Sequence, residues 1–271
     1  MDPTTVRSKE KEKEPVCVII PAFRPEPDLP ERIRAVIRAT PCQMLLVDDG
    51  SGPQYRMAFD RAEDLPGCQV LRHRKNRGKG RALKTAFAFL QKQILEVEEP
   101  DGSLPRKRTR ILCMDCDGQH LVADGVNLLN AAEKYPGSLI LGARDFTGRQ
   151  TPLRSRLGNR IISRIFYHAA GIWLPDTQTG LRAFDNSLLP LMLRTPGEGY
   201  AYEMEVLIAC VREGVPVRSR NISTIYINAN AGSHFHPVRD SLQVLAVCAR
   251  RSRRCRKCSG RSRKRNEEKK R

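Results

Sequence analysis

At 271 residues, with 40% hydrophobic and 6% aromatic content, the chain can bury a substantial core, and one domain with charged tails is the expected organisation. No apolar run approaches the roughly 20 residues of a membrane-spanning helix, and the polar, charged residues 1–14 lack the apolar stretch of a secretory signal. The formal charge is +18, concentrated in Arg250–Arg271, where thirteen Lys or Arg stand against two Glu; such a run is either solvated or meets an anionic surface, nucleic acid or acidic lipid.

Nine cysteines, an odd number, give no disulfide framework and indicate a reducing cytosol. The two CxxC pairs, Cys113/Cys116 and Cys255/Cys258, are far apart in sequence. Buried small hydrophobes account for them better than a zinc site does.

In chain order, Val16–Ile20 (VCVII) is β-branched and closed by Pro21, which predicts a first buried parallel strand. Leu29, Ile33, Val36 and Ile37 recur near helical spacing, so a surface helix is expected over Leu29–Ala39. Met44–Val47 is the second strand, and Asp48, Asp49, Gly50 and Ser51 follow at its carboxyl end, where open α/β sheets place their ligands. A helix over Gln54–Glu63 and a short strand at Gln69–Leu71 lead into RHRKNRGKGRALKTAFAFL. There Asn76, Gly78, Lys79 and Gly80 form a basic turn ahead of an amphipathic helix, able to approach phosphate with backbone and cation together. The GxxxxGK[ST] spacing of a P-loop is absent.

Glu96–Arg110 reads as a charged surface excursion before the chemical centre, RILCMDCDGQH. Ile111–Met114 is a buried strand, followed by Asp115, Asp117 and Gln119. In extended backbone residues i, i+2 and i+4 share a side, so three oxygen donors would converge on a hard cation, Mg2+ or Mn2+, which in turn holds phosphate oxygens. A solvated Asp-Gly turn is the alternative. A helix over Gly125–Lys134 and a strand at Leu139–Leu141 come next, the latter ending near Arg144 and Asp145. Strand and helix alternate four times, which predicts a mostly parallel α/β sheet flanked by helices.

TGRQTPLRSRLGNRIISRIFYHAAG then carries Arg149, Arg154, Arg156, Arg160 and Arg164 among Leu157, Ile161, Ile162, Ile165 and Phe166, a basic amphipathic helix that covers a core stripe or presents cations to phosphate or a membrane surface. DTQTGLRAF places Asp176 near a glycine turn. Tyr202–Arg212 is helical with Glu203 toward the cleft, Val217–Ile227 is a late strand, and His234 and His236 precede a last helix, Ser241–Ala249. The expected boundaries are a leader at 1–14, a catalytic domain at 15–245 and a basic tail at 246–271.

Taken in order, VIIPAFRP, LLVDDGSG, NRGKGRALKTA, ILCMDCDGQH, LGARDF, RSRLGNRIISR, DTQTGLRAF and GSHFHPVRDS resemble family 2 glycosyltransferases of the GT-A fold, nearest to the polyprenyl-phosphate branch that includes dolichyl-phosphate mannose synthases. The resemblance covers residues 16–245. It implies a donor site of Pro21, Asp48, Asp49, Lys79 and Asp115, with the two aspartates beside the nucleoside and Lys79 near the phosphates. It also implies that Asp115, Asp117 and Gln119 hold Mg2+ or Mn2+ and the donor diphosphate, that Arg144 and Arg160, with Arg156 competing, face an acceptor phosphate, and that Asp176 is the acid of the DxxTGLR-like string. The family's Asn-Glu after the first strand is replaced by Arg24 and Pro25. Inversion at the anomeric carbon and work on the cytosolic face of a membrane are further implications.

The chemistry is consistent. A nucleotide-sugar donor releases a diphosphate whose charge a cation at Asp115 and Asp117 would neutralise. An acceptor phosphate, with its second pKa near 6, needs arginines to orient it rather than a strong base; a hydroxyl acceptor would call on Asp176 or Glu203. A nucleotidyltransferase would show a glycine-rich loop after the first strand, which PAFRPEPD lacks. A nucleic-acid-binding role suits the tail, whereas the folded part sets carboxylates at strand ends and no aromatics among its basic segments. A non-lipid acceptor and a GT-A-like fold without catalysis stay open as alternatives.

Overall fold

The computed structural model describes residues 14–96, 108–146 and 153–223. In chain order these form β1 (Val16–Ala22), α1 (Leu29–Ala39), β2 (Gln43–Asp48), α2 (Arg56–Glu63), β3 (Cys68–Arg72), α3 (Lys79–Glu96), β4 (Arg110–Cys113), α4 (Val122–Lys134), β5 (Leu139–Arg144), α5 (Leu153–Ala170), β6 (Arg182–Asp185), α6 (Leu189–Arg194), α7 (Ala201–Arg212) and β7 (Val217–Ile222). The sheet order is β3-β2-β1-β4-β6-β5-β7. β1 pairs parallel with β2 and β4, β2 with β3 and β5 with β7, while β6 runs antiparallel to both β4 and β5.

Helices cover both faces because the strands are apolar on both. Along β1, Cys17 and Ile19 point into one core with Phe87 of α3, Phe166 of α5 and Leu207 of α7. Val18 and Ile20 point into the other, with Ile33 of α1, Phe59 of α2 and Leu128 of α4. The period-2 alternation of a strand thus feeds two cores, which is why these runs are continuous stretches of Val, Ile and Leu. α1 begins with Pro in its first turn, carries Glu31 early and Arg38 late, and so matches the helix dipole at both ends.

The mostly parallel sheet and its order of elements agree with the sequence-based expectation. Two short elements do not appear in it: the antiparallel β6, within DTQTGLRAF, and α6. β6 has functional weight. Since β1, β2, β3, β4, β5 and β7 share one direction, their carboxyl ends form one edge, and antiparallel β6 starts at that edge with Arg182 beside Cys113 of β4. The segment from Asp176 to Leu181 is therefore delivered to the site. The charged segment 97–107, Arg149, Arg154's side chain, the histidines at 234 and 236, the expected last helix and the basic tail lie outside the described residues.

Candidate active site

At the end of β4 the backbone leaves the extended conformation. Cys116–Gly118 form a turn, and Asp117 Oδ1 accepts the Gln119 N–H at 3.0 Å. Asp115 and Asp117 thus flank a turn rather than sharing one side of a continued strand. α1 braces it: Arg32 Nη1 donates to the Cys116 carbonyl at 2.9 Å. Gly118 has φ +76°, and a Cβ there would stand 2.5 Å from the Arg32 guanidinium, so glycine satisfies both the left-handed backbone and the close approach. Burial pushes the Cys116 thiol up to about 12, which makes it inert beside the carboxylates.

Lys79 opens α3 and reaches Asp115 Oδ1 at 2.6 Å and Glu203 Oε2, in the first turn of α7, at 2.8 Å. The approach of the two helices depends on Gly80, where a Cβ would fall 2.5 Å from Cβ of Tyr202. Burial opposes the charge on Lys79, yet the two carboxylates outweigh it and hold its pKa above the usual lysine range. Burial likewise opposes ionisation of Asp115, but Lys79 and His120, whose Nε2 is 3.4 Å from Asp115 Oδ2, keep that carboxyl well below the usual range. Asp117 has no such partner strength: burial first, then the charge of Asp115, raises its pKa. Two carboxylates are held close, one ionised and the other under repulsion, a condition that a divalent cation relieves.

The loops after β2 and β3 lock together next to this centre. Asp49 is buried, and its carboxylate accepts the N–H groups of Arg77 at 2.9 Å and Gly78 at 2.7 Å, with His73 Nδ1 at 2.6 Å. His73 Nε2 lies 2.9 Å from Thr85 Oγ1 of α3. Gly50, at φ +71°, packs so tightly that a Cβ would meet the Lys75 carbonyl carbon at 2.3 Å. Asp49 therefore shapes the basic turn that presents Lys79. Asp48 is half-buried and accepts the Ser51 N–H at 2.8 Å. Ser51 Oγ accepts the N–H of Arg24 at 2.9 Å, the residue that departs from the family pattern, which takes φ +50° and sets its guanidinium 5.0 Å from the Phe23 ring. Pro21 lies in β1, buried.

The second constellation sits at the end of β5. Asp176 is fully buried and receives Arg144 as a fork, Nε to Oδ2 at 2.7 Å and Nη2 to Oδ1 at 3.2 Å; Gln178 N–H also donates to Oδ1, at 3.0 Å. Both carboxylate oxygens are committed. From Asp176 the chain runs to Gly180, where a Cβ would be 2.2 Å from Asp115 Oδ2, and on to buried Arg182, which donates to the Thr179 and Glu203 carbonyls at 2.9 and 2.8 Å. This one segment ties the Arg144 fork to the Asp115–Lys79–Glu203 cluster. β4 and β5 are separated by β6 alone, so their ends lie two strand spacings, roughly 10 Å, apart. Asn159 of α5 donates to the Pro175 carbonyl at 2.6 Å, which places α5 against the same segment; Arg156 is half-buried and Arg160 exposed on that helix.

Most of the predicted residues thus gather at one edge. His73, His120 and Arg182 were not singled out by sequence reasoning; the two histidines adjoin the motifs NRGKG and DCDGQ, Arg182 falls within DTQTGLRAF beside the glycine turn of Gly180, and those positions were their only signal.

A profile of the family described as "Glycosyl transferase family 2" matches residues 17–190. The chain belongs to glycosyl transferase family 2. Two proteins are similar to it along most of their length. The UDP-N-acetylglucosamine–dolichyl-phosphate N-acetylglucosaminyltransferase of Methanococcus voltae is 24% identical over 230 residues, covering 78% of this chain and 86% of that protein. The polyprenol monophosphomannose synthase of Mycolicibacterium smegmatis is 25% identical over 224 residues, 80% and 78% of the respective chains. Among solved structures, glucosyl-3-phosphoglycerate synthase from Mycobacterium tuberculosis, in complex with Mn2+, UDP-glucose and glycerol 3-phosphate, superposes with a TM-score of 0.59 at 15% identity, over 88% of this chain and 80% of that one. That likeness concerns the fold, which is GT-A. This family 2 chain is a glycosyltransferase, and among its described residues no helix is long and apolar enough to cross a membrane.

Proposed function

We propose that this glycosyltransferase moves a sugar from a nucleotide-sugar donor to a polyprenyl-type phosphate, with inversion, on the cytosolic face of a membrane. The observation that carries the reading is Arg144, held as a rigid fork by fully buried Asp176 at the same sheet edge as the Asp115 turn. A fixed guanidinium suits an acceptor phosphate, and named relatives use such acceptors.

Mg2+ or Mn2+ fits the donor set. Asp115 and Asp117 would hold it, with Gln119 beside them. Among the described residues no group of three or more His, Cys, Asp or Glu is placed to hold a metal ion, so Asp115 and Asp117 would supply only part of the coordination and substrate phosphates would have to supply the rest. When bound, the ion supplies neutralisation of the charge on the departing diphosphate. Lys79, tethered by Glu203, contributes a second positive charge to the diphosphate. Asp48 and Asp49 with Pro21 frame the nucleoside side, Asp49 through the loop that it organises. Arg144, with Arg156 and Arg160 of α5, orients the acceptor phosphate, which attacks without a protein base; Asp176 is the positioning residue for Arg144. The stretch Arg250–Arg271 adds an electrostatic tether to an anionic bilayer.

Single-turnover transfer from a panel of labelled nucleotide sugars to a short-chain polyprenyl phosphate, with Mn2+, with Mg2+ and with chelator, tests the reading. A metal-dependent lipid product is expected. Donor hydrolysis without lipid product would keep the glycosyltransferase and remove the lipid acceptor. Gly180→Ala is a sharper probe of the geometry: its Cβ must push the Asp115 carboxylate aside. Nucleotide binding in Mn2+, followed by calorimetry, is expected to weaken roughly tenfold or more with the fold retained. Unchanged binding would show that the Asp115 position is immaterial.

A further inference from the structure

Between Leu71 and Ala82 the chain carries Arg72, Arg74, Lys75, Arg77, Lys79 and Arg81 and no Asp or Glu. Three of these cations are neutralised in the fold: Arg72 by Asp60 and Glu63, Lys79 by Asp115 and Glu203, and Arg81 by Glu198. Arg74, Lys75 and Arg77 are exposed, and among the described residues none of them has a carboxylate within ion-pair distance. Their backbone is nevertheless fixed. The His73 N–H donates to the Asp48 carbonyl at 2.8 Å, the Asp49 carboxylate takes the N–H groups of Arg77 and Gly78, and Gly50 packs on Lys75 without room for a Cβ. The loop thus presents its charges from a defined place, the end of β3. From there to the Asp115 turn at the end of β4 is three strand spacings, roughly 14 Å.

The centre that this loop borders is acidic. Asp48, Asp49, Asp115, Asp117 and Glu203 stand there against Lys79 and Arg182, so even a divalent cation at Asp115 and Asp117 would leave an excess of carboxylate. A nucleotide-sugar diphosphate is itself an anion. Such a centre repels it at a distance, although Lys79 and the metal favour it at contact. Cations within a Debye length or two, about 8 Å each at physiological salt, reverse the long-range field at the mouth of the site. We propose that Arg74, Lys75 and Arg77 are a steering rim, which raises the rate at which the anionic donor reaches the site and does not hold it once bound. Steering needs unpaired charge beside the site, and the pairing of Arg72, Lys79 and Arg81 leaves these three to supply it. The identity of the anion rests on the donor reading above, whereas the excess of unpaired cation belongs to the loop.

Stopped-flow binding of N-methylanthraniloyl-labelled UDP and GDP to the full-length protein in saturating Mn2+ separates arrival from holding. For the wild type, the association rate constant of the nucleotide that binds is expected to fall severalfold as ionic strength rises from about 0.01 M to about 0.15 M. Arg74→Gln, Lys75→Gln and Arg77→Gln combined should lower that constant about tenfold at the lower ionic strength and less than about threefold at the higher. The dissociation rate constant and the melting temperature should stay where they are, because the three side chains are exposed and bind no described carboxylate. A control variant, Arg212→Gln with Arg218→Gln and Arg220→Gln, removes as much charge from exposed positions at the other end of the sheet and should leave association within about twofold of wild type. Association equal to wild type in the loop variant would overturn the proposal, as would an equal loss in the control, which would assign the effect to net charge. A faster dissociation in place of slower association would overturn it too, making the three residues contacts of the bound nucleotide. If neither labelled nucleotide binds at any ionic strength, the donor reading itself falls and the rim with it; binding at an unmoved rate removes the rim alone.

Discussion

Asp117→Asn is expected to lower single-turnover sugar transfer by about 10²–10³-fold, the scale on which removal of one electrostatic stabiliser of a developing charge is felt, while leaving the fold as stable as before or more so. The two halves of that expectation share one cause. The folded chain raises the pKa of Asp117 through burial and the nearby charge of Asp115, so the ionised group is disfavoured where it stands. An amide of the same shape relieves that repulsion, and its oxygen can still accept the Gln119 N–H that closes the turn. The variant therefore gives up a charge that the fold would rather lose and that the chemistry needs. Transfer rates with and without Mn2+, read beside the melting temperature at pH 7, check both halves. Transfer within tenfold of wild type would remove Asp117 from the metal set, and a fall in melting temperature of many degrees would show that the charge supports the turn instead.

What the sequence made legible follows from how each signal is encoded. β1, β2 and β4 are continuous apolar runs because both sheet faces are covered, so their existence and direction could be read from composition and from the helices between them. The acidic residues that follow β2 and β4 were legible for the same reason, since a strand's carboxyl end is where a parallel sheet opens. β6 was not, because RAFD is four residues long, all of them buried, with no period to detect. Its reversed direction is a property of the chain path, and with it went the knowledge that Gly180 touches Asp115. The links from Lys79 to Glu203, 124 positions apart, and from Asp49 to the backbone of Arg77 and Gly78 are likewise tertiary. Sequence spacing placed Lys79 and Asp49 near the donor but could not show that one is braced by α7 and that the other spends its carboxylate on shaping a loop. The extended i, i+2, i+4 geometry predicted for Asp115, Asp117 and Gln119 gave way to a turn because Gly118 takes a left-handed conformation under Arg32.

Asp176→Asn should separate positioning from proton transfer. Asp176 is fully buried, both its oxygens receive Arg144, and the Gln178 N–H shares one of them. An amide keeps the shape and one acceptor but presents an N–H to a guanidinium that can only donate. The fork opens, and roughly 2–4 kcal/mol of stability is expected to go with it, because a charged hydrogen bond is lost and a partly buried cation is left without its counter-charge. For transfer to a polyprenyl phosphate, displacement of Arg144 by about an ångström is expected to cost on the order of 10²-fold, expressed mainly in the acceptor KM and kcat and little in donor affinity. Arg144→Lys should reproduce the transfer defect, since an ammonium keeps the charge but cannot match the carboxylate with two parallel donors. If Asp176 were instead a general base, Asp176→Asn would abolish turnover over the whole pH range while Arg144→Lys left it nearly intact. Agreement between the two variants, with donor hydrolysis preserved in both, assigns Asp176 to the aim of Arg144 and the reaction to an acceptor that brings its own negative charge.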